Sequence, residues 1–73
     1  MQQTYIAIIR NKDGKQIDFQ RFGYKRLTTV INAMQDLAAN SLYRALTPDM
    51  DHADIYKTDY EWHGLDPAAT ITL

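Results

Sequence analysis

The sequence predicts an α+β fold: a single-layer antiparallel sheet of about four strands in the order β-β-α-β-β, with one long helix packed on one face. Three observations carry this. Leu27, Ile31, Met34, Ala38, Leu42 and Ala45 recur at three- and four-residue steps, and Val30, Leu37 and Leu46 widen the stripe. That spacing defines one side of an amphipathic helix over Thr28–Leu46. Ahead of it, two runs rich in β-branched and aromatic residues flank an Asp-Gly turn, a hairpin pattern. After it, two shorter strand-like runs follow, and no second helical pattern is present. A lone helix needs an apolar surface to lie on, and a single sheet needs a face covered.

Thr4–Arg10, TYIAIIR, reads as the first strand. Tyr5, Ala7 and Ile9 share one face and Ile6, Ile8 and Arg10 the other. Both faces are largely apolar, which predicts a central strand. Asn11–Lys15 has the length of a hairpin loop, and Asp13-Gly14 supplies a positive φ at little steric cost. Gln16–Tyr24 returns as the second strand. Its apolar side changes between Phe19 and Phe22, and a bulge near Phe22-Gly23 would account for that.

Thr28 or Thr29 is the expected helix N-cap. Thr47-Pro48 is the expected stop, because the residue before proline is pushed out of helical geometry. Asn40-Ser41 is the alternative end, since Asn tolerates a left-handed cap. Ala53–Tyr60 reads as a third strand with thin apolar content, hence one near an edge. Glu61–Ala69 is a loop punctuated by Gly64 and Pro67, and Thr70–Leu73 a short fourth strand.

Seventy-three residues, 45 % of them hydrophobic, correspond to one small globular domain spanning 1–73. About eight large apolar side chains from one helix and one sheet face make a thin core, so a homodimer covering the other sheet face is a natural extension. No cysteine is present, which rules out disulfides and thiolate metal ligands. The N-terminal residues lack a signal-peptide pattern, and no apolar run approaches the roughly 18 residues of a membrane span. The expected location is cytoplasmic. Net charge is −1 overall. Residues 1–36 hold six Lys/Arg and three Asp, whereas 37–73 hold two basic and six acidic residues. The second half is thus a candidate acidic surface for a basic partner.

The residues that could carry chemistry form four groups. Asp49, Asp51 and Asp54 lie close together around His52, but a calcium loop also needs Gly at its sixth position and Glu at its twelfth. Counting from Asp49, those positions hold Asp54 and Tyr60. His52 and His63, without cysteine, fall short of a zinc set. Tyr56, Tyr60 and Trp62 are the densest aromatic cluster. They suit a protein interface or base stacking as well as a core. Lys12 and Lys15 in the hairpin, with Lys25 and Arg26 before the helix, could grip phosphates. No nucleophile elbow or glycine-rich phosphate loop is present.

The reading is therefore a small non-enzymatic interaction protein without a cofactor or metal. It binds an unknown protein partner through Asp49, Asp51, Asp54, Tyr56, Tyr60 and Trp62. An inhibitor of a nucleic-acid-handling partner is one concrete form. Two alternatives stand beside it: a nucleic-acid-binding domain using Lys12, Lys15, Lys25 and Arg26, and a small metal protein or enzyme. In size and architecture the chain resembles short phage or mobile-element proteins.

Overall fold

A computed structural model of the chain describes residues 3–57 and 66–73. The β-branched run at the start forms β1, Gln3–Arg10, and the chain reverses through the Asp-Gly turn into β2, Gln16–Lys25. Asn11 organises the reversal. Its backbone N–H donates to the Lys15 carbonyl at 3.0 Å, and its side-chain oxygen accepts from the N–H groups of Asp13 and Lys15, both at 3.0 Å. Gly14 takes φ 85°, the left-handed conformation that the turn requires and that a Cβ would strain.

Helix α1, Leu27–Ala39, and helix α2, Ser41–Leu46, follow, then β3, His52–Lys57, and β4, Ala69–Thr72. The strands form one antiparallel sheet in the order β2-β1-β3-β4. The α+β architecture and the central place of β1 agree with the sequence. β3, expected near an edge, lies one place in from it, between β1 and the edge strand β4. Its Ala53, Ile55 and Tyr56 are all buried, enough apolar surface for an interior strand.

The register assigns each side chain to a face. Tyr5, Ala7 and Ile9 of β1, with Ala53 and Ile55 of β3, meet Val30 and Met34 of α1 in the main core. Leu27, Ile31, Leu37, Tyr43 and Ile71 pack around it. The opposite face holds a second cluster of Ile6, Ile8 and Tyr56.

β2 carries two irregularities against β1. One falls between the pairs Gln3↔Lys25 and Tyr5↔Phe22, where the Phe22-Gly23 bulge was expected. The other falls between Ile9↔Asp18 and Arg10↔Gln16, leaving Ile17 as an extra residue. The extra residue offsets the alternation, so Ile17 packs toward the main core although Phe19 faces the other way. This second bulge, and not the one at Gly23, accounts for the change of apolar side along β2.

The helical region runs over the expected span but is divided at Asn40. Asn40 is extended, with φ −70° and ψ 124°, and its side chain accepts a 3.0 Å bond from the Tyr43 N–H. It thus ends one helix and caps the next. The expected N-cap at Thr28 or Thr29 is not used. Arg26 holds that position without a side-chain cap bond, because only one residue separates β2 from α1 and both threonines lie within the first turn. The break also changes what is buried. Val30, Met34 and Ala38 are inside as the stripe requires, but Leu42 and Leu46 are 68 % and 72 % exposed. Tyr43 takes the inward position of α2 instead.

Candidate functional site

Two loops meet at the hairpin end of the sheet. The turn after β1 supplies Asn11, Lys12 and Asp13, and the connection after α2 supplies Pro48, Asp49, Met50 and Asp51. Together they line a cleft of about 480 Å³. The backbone holds the two loops in place. The Asp51 N–H donates to the Arg10 carbonyl at 2.9 Å, and the Leu73 N–H donates to the Asp51 carbonyl at 3.0 Å. On the α2 side, Met50 N–H donates to the Thr47 carbonyl at 3.2 Å, and Met50 packs against the main core.

Three carboxylates rim this cleft: Asp13, Asp49 and Asp51. All three residues are exposed. Among the described residues Asp13 and Asp49 form no ion pair, and Asp51 meets His52 Nδ1 at 2.8 Å. Lys12 lies on the same rim. Asp13 was not singled out in the sequence, where it reads as turn chemistry; its place beside Asp49 depends on a contact between distant segments.

Asp54 belongs elsewhere. It sits on the sheet face away from the helices, where its Oδ2 accepts from Arg10 Nε at 2.8 Å and its Oδ1 from Thr70 Oγ1 at 2.7 Å. Arg10 also donates to the Gly14 carbonyl at 3.0 Å and to the Tyr56 hydroxyl at 3.2 Å. The Tyr56 bond raises the guanidinium pKa, burial opposes that, and Asp54 adds to it, so Arg10 is held firmly protonated. This network ties the hairpin turn to β3 and β4. It uses both Asp54 oxygens internally.

Tyr56 is only 6 % exposed. Register places it opposite Ile6, yet its hydroxyl bonds to Arg10, two same-face positions further along β1. The ring therefore leans along the strand beside Ile8 and helps to bury it. Tyr60 and Trp62 lie outside the described residues.

The basic candidates do not converge. Lys12 and Lys15 are at the hairpin, whereas Lys25 and Arg26 are at the far end of β2, roughly 30 Å away at about 3.3 Å per residue. Among the described residues no three His, Cys, Asp or Glu side chains are grouped to hold a metal ion. No helix among them is long and apolar enough to cross a membrane.

The Tyr43 hydroxyl donates to Asp18 Oδ2 at 2.7 Å, fastening α2 to β2. Burial, and then the bond to Asp18, push the Tyr43 pKa up to about 12. Comparison with protein-family models, curated proteins and solved structures finds no match to this chain.

Proposed function

We propose that this chain is a small binding module that works by contact, and that it meets a macromolecular partner of basic character at the hairpin end of its sheet. The observation that carries the reading is the uneven use of its carboxylates. Asp18 and Asp54 are engaged in internal bonds, whereas Asp13 and Asp49 stand on the cleft rim without an ion-pair partner among the described residues. Exposed carboxylates on a fixed backbone attract a cationic partner at range and orient its approach. Tyr60 and Trp62, which the sequence offers as aromatic anchors for a partner, lie outside the described residues. Inhibition of a nucleic-acid-handling protein is one role that such a surface fits, and a phage or mobile element is a setting that suits a chain of this size.

The test is affinity capture from the native host with wild type and with the double variant Asp49→Lys, Asp51→Lys, followed by identification of the captured proteins. A specific partner retained by wild type and lost by the variant, with unchanged circular dichroism, supports the reading. Equal capture by both proteins removes the acidic rim from the function. Salt-sensitive capture of an oligonucleotide that depends on Lys12 and Lys15 would replace the protein partner with a nucleic acid.

A further inference from the structure

We propose that two copies of this chain join edge to edge through β2, making one continuous eight-stranded antiparallel sheet. The two edges of the sheet differ. β4 has 4 residues, a length too short to template much pairing, while β2 has 10. Among the described residues β2 has β1 on one side and no strand on the other. Its two irregularities fall at Ile17 and beyond Phe22, so Asp18–Phe22 is a regular ladder between them. Half of the backbone N–H and C=O groups in such a run point away from β1 and offer bonds to another strand.

The occupant follows from the side chains of that run. Antiparallel strands of one sheet place directly opposed residues on the same face, so in a symmetric pair each residue can meet only residues of its own parity. Centring the two-fold axis on Asp18 opposes two carboxylates, and centring it on Arg21 opposes two guanidiniums. Centring on Gln20 pairs the whole run Asp18–Phe22 with itself. Each Phe19 then faces the Arg21 of the other copy, twice over, a cation–aromatic contact. The two Gln20 amides meet at the axis, where each can donate and accept. Phe19 is 49 % exposed, a large apolar side chain on the edge strand. The net charge of −1 sets up little repulsion between copies. Both helical layers lie on the same side of the joint sheet.

This dimer differs from one that covers the outer sheet face. Ile6, Ile8 and Tyr56 are already buried within a single chain, which removes the reason for a cover there. It is also independent of the acidic cleft, because no other protein takes part in the measurement.

Sedimentation equilibrium of the full chain, from about 1 µM to about 1 mM, reads the association directly. Wild type is expected to dimerise in that range. Phe19→Lys sets a lysine against Arg21 at both symmetric positions and should raise Kd by at least about tenfold. Phe19→Glu sets a carboxylate there and should keep Kd within about threefold. The double variant Phe19→Lys, Arg21→Glu restores opposite charges and should recover the dimer, and a wild-type circular dichroism spectrum of Phe19→Lys shows that the lysine variant folds. A wild type that stays monomeric throughout overturns the proposal. So does a dimer indifferent to Phe19→Lys, or one weakened equally by lysine and glutamate.

Discussion

Helices α1 and α2 are neighbours in sequence and are held by different forces. α1 is fixed by burial: Val30 and Met34 are fully inside, against Ala7, Ile9 and Ile55. Its N-terminus lacks a side-chain cap bond, yet it runs for 13 residues. α2 has only 6 residues and none of them is buried. It is held by directional contacts: the Asn40 cap at its start, the Tyr43–Asp18 bond along its length, and Thr47 Oγ1 donating to the Tyr43 carbonyl at 2.7 Å at its end. An isolated helix this short is unstable in water, so these contacts, with the Tyr43 ring packed at the margin of the main core, keep it formed. Apolar burial tolerates small shifts because it is non-directional, whereas a short helix on polar anchors depends on a few named atoms.

That contrast can be broken most strongly at Met34. Met34→Ala removes a fully buried side chain from between α1 and the sheet and should lower stability by about 2–5 kcal/mol in denaturant titration. A loss below about 1 kcal/mol would mean that α1 is not held by burial at this point.

Tyr43→Phe deletes the bond to Asp18 while keeping the ring, with an expected loss of about 1–2 kcal/mol at neutral pH. The pH dependence sharpens the assignment. The folded-state pKa of about 12 lies above the ordinary tyrosine value of 10.0. The neutral phenol is therefore favoured by folding. Its contribution is complete below pH about 10 and is lost as pH rises from there through about 12. Wild type should lose stability across that window more steeply than Tyr43→Phe. Parallel curves for the two proteins would show that the hydroxyl does not anchor α2.

Asn40→Ala removes the cap of α2 and should cost about 1 kcal/mol, with a loss of helical circular dichroism equivalent to the last turns. A gain of helicity would instead mean that the residue interrupts a helix that is otherwise continuous. The smallest effect belongs to Leu42→Ser and Leu46→Ser. Both side chains face outward, so each change should stay within about 0.5 kcal/mol. A destabilisation of core size at either position would place it inside a packed surface.

Leu42 and Leu46 also show how far the residue pattern could be read. Six positions of the apolar stripe, Leu27, Val30, Ile31, Met34, Leu37 and Ala38, do pack inward. Periodicity continues across Asn40 in the sequence, but the phase does not continue in space. One extended residue resets it and turns Tyr43 inward in place of the leucines. The alternative helix end at Asn40-Ser41 was visible because Asn is a turn and cap former. Its use as a cap for a second helix was not, since that depends on where Tyr43 finds Asp18, 25 residues earlier.

The candidate site divides in the same way. Asp49 and Asp51 were legible as an exposed acidic connection after Thr47-Pro48. Asp54 and Tyr56, two and four residues past His52, are drawn away from it by β3 pairing and bond to Arg10, more than forty positions distant. Asp13 joins the rim only because Asp51 is fastened to Arg10. Lys12 and Lys25 look like one basic set in sequence and stand at opposite ends of a strand.

Local chemistry by itself determined the strands, the Asp-Gly reversal and the buried face of α1, because propensity, turn geometry and periodicity act between residues a few positions apart. The tertiary structure alone decided that β3 is interior, that Ile17 is bulged, that Tyr56 is buried and that Asp18 and Asp54 bond internally while Asp13 and Asp49 have no ion-pair partner among the described residues. Each of these is set by the register of segments far apart in the chain, and a register slip of one residue would reverse the face of every side chain concerned.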